Sequence, residues 1–457
     1  MWVKRVSKRY VILHGCISIV VVLLPLQATA IGFYLPHQSA KGIGRAQAGN
    51  VVIANDPSTI FFNPAGMTYL ENDELEINAT VIFPQATVNN TGTTAVTPFT
   101  GGASVSVSGG NANNPTPVSP LASAYANFRL PNKKISIGIG LAMPAGLRTV
   151  YNPTWFGRYD SVKSSLGTLN IGPAVSYGEK YWSIGLGLDV QLASAELSNA
   201  LPNPLVPGGP TAATDGLFKL EGDDVSFGFN VGAMFTFPDY PNTRFGIHYR
   251  SAVKHTLEGS ATTSGLTGPL ASSNGTKSGT VDFDIPENLT IGIAHKTGPW
   301  TFLAQGAWFG FGRINEITVE YDDGSPSPPP RVLNFQDAYS VSIGAEYAFN
   351  ESSGRKKPGP GLTLRGGISY ESAIVTDQYR TTSLPDSADY WLSLGASYGV
   401  EDDISLDFAI ARVILEDATV DSTRQYYSGT GLDSSVTTRA VSEASSTVLT
   451  LGFRWEF

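Results

Sequence analysis

Beyond residue 30 the chain holds four histidines, His37, His248, His255 and His295, together with many Ser and Asp. Those residue types could support hydrolysis, in which a serine is activated by a histidine that an acid orients. The spacing does not assemble such a group. His248 alternates with Ile247 and Tyr249, which places it on the polar face of a strand, and no Ser-His-acid constellation follows from the positions. Gly138–Gly140 and Gly185–Gly187 are Gly-x-Gly pairs inside strand-like runs with no helix after them, so they make no phosphate cradle. Asp223-Asp224 and Asp322-Asp323 read as solvated loop charge. No catalytic residue, cofactor or metal is expected. What remains is the chemistry of apolar contact, concentrated in residues 56–70, "DPSTIFFNPAGMTYL".

The first thirty residues form a secretory signal peptide. Lys4, Arg5, Lys8 and Arg9 precede an apolar run from Val11 to Leu24, and Ala28-Thr29-Ala30 marks a cleavage site. His14 interrupts a lipoprotein reading around Cys16, the only cysteine, so the exported chain has neither disulfide nor thiol. Loss of four basic residues takes the net charge from −9 to −13. An acidic chain without basic runs lacks what phosphate neutralisation requires, which argues against nucleic acid as a partner. No later run approaches the ~18 apolar residues of a membrane helix. Charged residues are only 15% and aromatics 11%, which suits a membrane barrel, whose strands show an apolar side at every second position.

From Trp182 the even positions are Trp182, Ile184, Leu186, Leu188, Val190 and Leu192, whereas the odd ones are Ser, Gly, Asp and Gln. The rhythm recurs from Leu75–Phe83 to Thr447–Phe457 and gives about fourteen strands. A two-sheet sandwich alternates in the same way, but long connections (87–119, 143–166, 198–222, 259–286, 312–337, 371–389, 415–445) take turns with short ones. That is the pattern of an all-β, 14-stranded antiparallel transmembrane β-barrel, entered from the periplasmic side. Trp182, Trp300 and Trp455 fall at periplasmic strand ends and Trp391 at an outer one, where aromatic girdles lie.

Residues 31–73 do not alternate. Asp56 before Pro57 and Asn63 before Pro64 each offer a cap with proline at the first helical position, predicting two short helical turns around Ile60, Phe61 and Phe62. A lumen this wide is not filled by wall side chains, so the segment is expected inside as a plug. The organisation read is therefore 1–30 signal peptide, 31–73 plug, 74–457 barrel.

"GIGRAQAG" (42–49) with "NDPSTIFFNPAGMT" (55–68) resembles the N-terminal hatch of the FadL/TodX family of outer-membrane transport proteins, with Asn63-Pro64-Ala65 as its signature. "YNPTWFGRYDS" (151–161), "LNIGPAVSY" (169–177), "RFGIHYRSAVK" (244–254), "FQDAYSVSIGAEY" (335–347) and the terminal "LGFRWEF" extend the resemblance over the chain. It implies a passive carrier of long-chain fatty acids, or of aromatic or alkane hydrocarbons, through a hatch-gated barrel in the outer membrane of a Gram-negative cell. Release would be lateral, through a wall gap at a kinked third strand, where Gly138, Gly140 and Pro144 lie. The resemblance makes Ile31, Phe33 and Leu35 candidates to touch ligand, joined by Phe61 and Phe62 of the apolar turn, with Arg158 and Arg313 as candidate partners of a carboxylate. Ala193-Ser194-Ala195 stands where a relative has Arg, which keeps hydrocarbons open as substrates. Phe457 resembles the membrane-insertion signal read by the barrel-assembly machinery. Outer-membrane lipid and lipopolysaccharide are the expected surroundings, and a monomer the expected state. A structural or adhesive barrel is the reading from another class; it has no use for an apolar interior with a hatch.

Overall fold

The computed structural model describes residues 32–349 and 361–457. The signal peptide and Ile31 lie outside the described residues. Among the described residues, fourteen strands cross in sequence: β1 (Glu74–Asn90), β2 (Ser119–Arg129), β3 (Ile135–Ala142), β4 (Lys163–Gly178), β5 (Trp182–Leu201), β6 (Gly216–Thr236), β7 (Thr243–Arg250, then Val253–Ser264) and β8 (Gly275–Ile285, then Asn288–Thr297). They continue with β9 (Trp300–Phe309), β10 (Ala338–Ala348), β11 (Leu362–Glu371), β12 (Asp389–Gly399), β13 (Ile404–Leu415) and β14 (Ser434–Glu456). Each pairs antiparallel with the next, and β14 returns to β1, with Glu456 opposite Glu74 and Ala440 opposite Asn90. Closure gives each strand two neighbours, the condition for crossing lipid with strands. No described helix is long and apolar enough to cross a membrane.

The period of two has its expected consequence. On β5, Trp182, Ile184, Leu186 and Leu188 face outward, while Ser183, Asp189 and Gln191 are buried in the lumen. Trp391 is a correction to the outer girdle. Leu392 and Leu394 face lipid, so the same parity turns Trp391 inward, where it is 2% exposed; Tyr339, Tyr370 and Tyr390 are the outward aromatics of β10–β12. The loops at 198–222, 259–286 and 415–445 are also shorter than expected, because β5–β8 and β14 continue beyond their outward apolar residues and Ala418–Tyr426 pairs with β14. There the outward positions are polar, as at Lys254, Glu258 and Asp282, so alternation vanishes from the sequence while the backbone ladder persists.

Residues 32–70 fill the lumen. α1 (Ala40–Ile43), capped by the Ser39 side chain, and α2 (Thr59–Phe62) are single turns, followed by a 3-10 turn over Pro64–Tyr69. The proline-led turns predicted after Asp56 and Asn63 both form: the Ser58 N–H donates to Asp56 Oδ1 at 2.9 Å, and Ala65 N–H to Asn63 Oδ1 at 3.1 Å. The plug seats its backbone directly against inward-facing glycines of the wall. A Cβ on Gly185 would lie 2.3 Å from Ala65 N, and one on Gly232 would lie 1.9 Å from Asn63 Oδ1. Ion pairs fix the other side. Arg45 meets Glu346 at 2.9 Å and Glu346 also meets Arg365 at 3.1 Å, while within the plug Lys41 lies 3.7 Å from Asp56.

Candidate functional site

The wall is interrupted at the third strand. β2 and β3 pair only up to Ala124 opposite Leu141, and after Ala142 the chain resumes as Gly146–Val150, paired to β4 but no longer to β2. The interruption is Met143-Pro144-Ala145. Pro144 has no N–H for a ladder, and the plug's first residues take the vacated edge: Leu35 N–H donates to Pro144 O at 2.8 Å, Gly146 N–H to Phe33 O at 2.7 Å, and Gln38 bonds both N–H and C=O of Met143. Gly138 and Gly140 stay in regular register with β4. Their missing side chains make room for Ile60 and Met67 of the plug and for Tyr125.

At the barrel end remote from Phe457 lies a cavity of about 90 Å³. It is walled by Leu166, Leu197 and Leu257 from the strands, Leu333 and Phe335 from the β9–β10 connection, Leu384 from the β11–β12 connection, and Phe33 from the plug. Phe33 is buried against Phe283 and Phe311, at centroid distances of 5.2 and 5.1 Å. Arg331 is the one cation among the described lining residues. Its Nη2 donates to Ser383 Oγ at 2.7 Å and to Asp160 Oδ1 at 3.2 Å, while its buried Nε has no hydrogen-bond partner. Burial draws this guanidinium below its ordinary range, and Asp160 opposes the shift.

The residues singled out from the sequence are not gathered in one place. Phe33 lines the apolar cavity. Leu35 packs instead in a second cluster with Ile43 and Trp391. Phe61 and Phe62 border a more polar chamber of about 40 Å³ that also meets His248, Arg250 and Glu371. Arg158 is fully buried in the outer loops, bonded through Nε to Asp215 at 2.8 Å and through Nη2 to the Tyr159 hydroxyl at 2.7 Å. Arg313 sits on the outer part of the wall, paired with Asp284 and Glu287. Asn63 does more than cap: its Nδ2 donates to Val51 O within the plug at 2.8 Å and reaches Ala233 O on β6 at 3.3 Å and Ile247 O on β7 at 3.2 Å. Phe457 lies beside Trp455, and its N–H donates to Asp73 O where the barrel closes.

Arg331 and Leu384 escaped the sequence reading. Arg331 follows the run Ser325–Pro330, which reads as a solvated loop; the alternation Arg331, Leu333, Phe335 was the available signal. Nothing local marks Leu384. The four histidines occupy separate settings. His37, pulled down to about 3 by burial, faces Trp391; His248 lies 3.4 Å from Asn230, His255 sits between Asp224 and Gln191, and His295 pairs with Thr243.

The chain is similar to curated relatives across most of its length. It is 25% identical over 427 residues to the long-chain fatty acid transport protein of Salmonella typhi, covering 89% of this chain and 92% of the relative. It is 25% identical over 441 residues to the protein of that name from Escherichia coli K12. Among solved structures, a FadL homologue from Pseudomonas aeruginosa superposes with a TM-score of 0.79 at 20% identity, over 93% of this chain and 100% of that one. The Pseudomonas putida toluene transporter TodX superposes at 0.62, also at 20% identity, over 94% and 100%. Residues 21–457 match the family described as "Outer membrane protein transport protein (OMPP1/FadL/TodX)", and the chain belongs to that outer-membrane family.

Proposed function

We infer that this chain takes up hydrophobic molecules across the outer membrane, with long-chain fatty acids as the first substrate class. The observation that carries the reading is the apolar cavity, closed at its base by Phe33 of the plug and holding Arg331 in its wall. Each methylene moved from water into such a wall contributes about 0.8 kcal/mol, so an acyl chain loads readily. The same gain would trap it, unless the site changes. Because Phe33 belongs to the plug, any shift of the plug removes part of the cavity wall and lowers the affinity. Arg331 and Ser383 supply donors for a carboxylate at the edge of the apolar surface. The interruption at Pro144 offers a way out into lipid. Chemistry is not part of this role. The outward apolar band contacts outer-membrane lipid and lipopolysaccharide, Phe457 serves the assembly machinery, and the barrel acts as a monomer.

Hydrocarbon import is the second reading, favoured by the pairing of Arg331 with Asp160, which already answers its charge. Uptake of labelled oleate and of labelled toluene, by cells lacking their own fatty-acid porin, separates the two. Oleate uptake restored by the intact chain and lost on deleting residues 55–68 supports the first reading. Toluene alone supports the second, and neither, at normal membrane insertion, refutes transport of both classes.

A further inference from the structure

The connection between β11 and β12, residues 372–388, turns inward on either side of an exposed tip at residues 376–378. Ile374, Val375, Thr382 and Leu384 are buried, and the segment hangs into the lumen. It is held from several sides. Thr382 N–H donates to Asp160 Oδ2 at 2.6 Å, and the Tyr151 hydroxyl donates to Thr382 O at 2.6 Å. Leu384 lines the outer cavity on one side and, on the other, a second, smaller chamber of about 40 Å³. That second chamber is bounded by Pro84 and Val88 of β1, by Pro115 and Thr116 leading into β2, and by Thr149 beyond the interruption of β3. It lies against β1, β13 and β14 and reaches, at Pro115, Thr116 and Thr149, the part of the wall where β2 and β3 have separated.

Two residues after Leu384, Asp386 joins the partition to the plug. Its Oδ1 accepts from Gly32 N–H at 3.0 Å and its Oδ2 from Ile374 N–H at 2.7 Å. Gly32 has φ +54°, a left-handed backbone that favours glycine, and a Cβ there would lie 2.3 Å from the Ile374 side-chain tip, so glycine eases the approach of the plug end to this loop. One carboxylate thus clamps the start of the plug and the loop that divides the cavities.

We propose that residues 372–388 form an inner gate with Leu384 as its leaf, that the chamber beyond it is a second station for the apolar ligand, and that Asp386 couples the leaf to the plug. A ligand that fills the outer cavity presses on Leu384 and on Phe33 together. Because Asp386 bonds both segments, displacement of the leaf withdraws the acceptor from Gly32, and the plug end and the gate open as one unit. The proposal rests on the transport reading above.

The test combines hydrogen exchange with uptake, on the full mature chain in detergent and in cells. In D386A, loss of the two hydrogen bonds to Gly32 and Ile374 speeds exchange in 372–388 by about tenfold or more, and exchange in the plug segment 33–45 rises with it. Oleate bound to the wild type produces the same paired change. L384W, which enlarges the leaf, reduces oleate uptake to background at normal insertion, and D386N, retaining one acceptor, lies between wild type and D386A. The gate is refuted if L384W carries oleate at the wild-type rate. The coupling is refuted if D386A or oleate loosens 372–388 while 33–45 stays protected. Should the wild type carry no oleate, the transport reading fails, and the paired exchange still decides the latch.

Discussion

Gly185 gives the sharpest test of how the plug is held. A Cβ at this position would stand 2.3 Å from Ala65 N and 2.4 Å from Pro64 C, both backbone atoms of a capped turn, so no side chain can swing away. Reaching ordinary contact at 3.4 Å requires the turn to move by about 1 Å. Overpacking of this kind costs ~1–3 kcal/mol. The same movement stretches the two Asn63 bonds to Ala233 O and Ile247 O, worth about 1 kcal/mol each. Together these weaken the seat by about 4 kcal/mol, roughly a thousandfold in the seating equilibrium, with the barrel ladder untouched. Gly185→Ala is therefore expected to expose Lys41 and Arg45, now 4% and 2% exposed, to trypsin, while the barrel keeps its heat-modifiable mobility. Gly306→Ala is the control. The nearest atom to its Cβ is Ser340 O at 3.8 Å, so the plug should stay as resistant as in the wild type. Equal trypsin resistance in G185A and G306A would refute the seating argument.

Three further outcomes follow from the same geometry. Glu346→Ala leaves the buried Arg45 and Arg365 facing each other without their shared carboxylate, which should cost about 3–5 kcal/mol and release the plug to trypsin, with Glu346→Gln milder. Arg331→Met should raise the dissociation constant for oleate about 10–100-fold, from the loss of a charged hydrogen-bond donor, and leave toluene binding within about twofold; equal losses for both ligands would remove Arg331 from carboxylate recognition. Burial pushes the Asp386 carboxyl up to about 6, against the lowering influence of Ile374 N–H, Gly32 N–H and Arg380, with Asp389 also nearby. A closed latch thus holds the proton more tightly than an open, solvated loop, so the latch is strongest below the ordinary carboxylate range and weakens as pH rises through about 6. Exchange protection of Ile374, corrected for the intrinsic rate, should be greater at about pH 5 than at about pH 7.5, and D386N should abolish the difference. Protection that grows with pH would reverse the sign and refute the assignment.

Much of the barrel was legible because lipid imposes a rule that each strand obeys independently. Leu186, Leu188 and Phe227 must face out wherever the strand sits, so alternation, strand number and the parity of loops could be read without contacts. Trp391 obeys the same parity: Leu392 and Leu394 face lipid, which turns it inward and away from the outer girdle. The capped turns at Asp56 and Asn63 were legible for a similar reason, because cap and proline act on their own backbone neighbours.

The site was not legible in the same way. Phe33, Leu257, Arg331 and Leu384 come from the plug, a strand and two loops, and only closure of the barrel brings them to one cavity. The inward glycines illustrate the division. Gly185 and Gly232 stand in the sequence as ordinary small residues on a polar face, and their purpose appears only when Ala65 and Asn63 arrive against them. The sequence by itself determined which side of each strand meets lipid, because that preference belongs to single residues and repeats with the pleat. Tertiary structure alone decided where the plug rests, which arginine reaches the cavity and which loop divides it, because contacts between segments hundreds of residues apart leave no period in the chain.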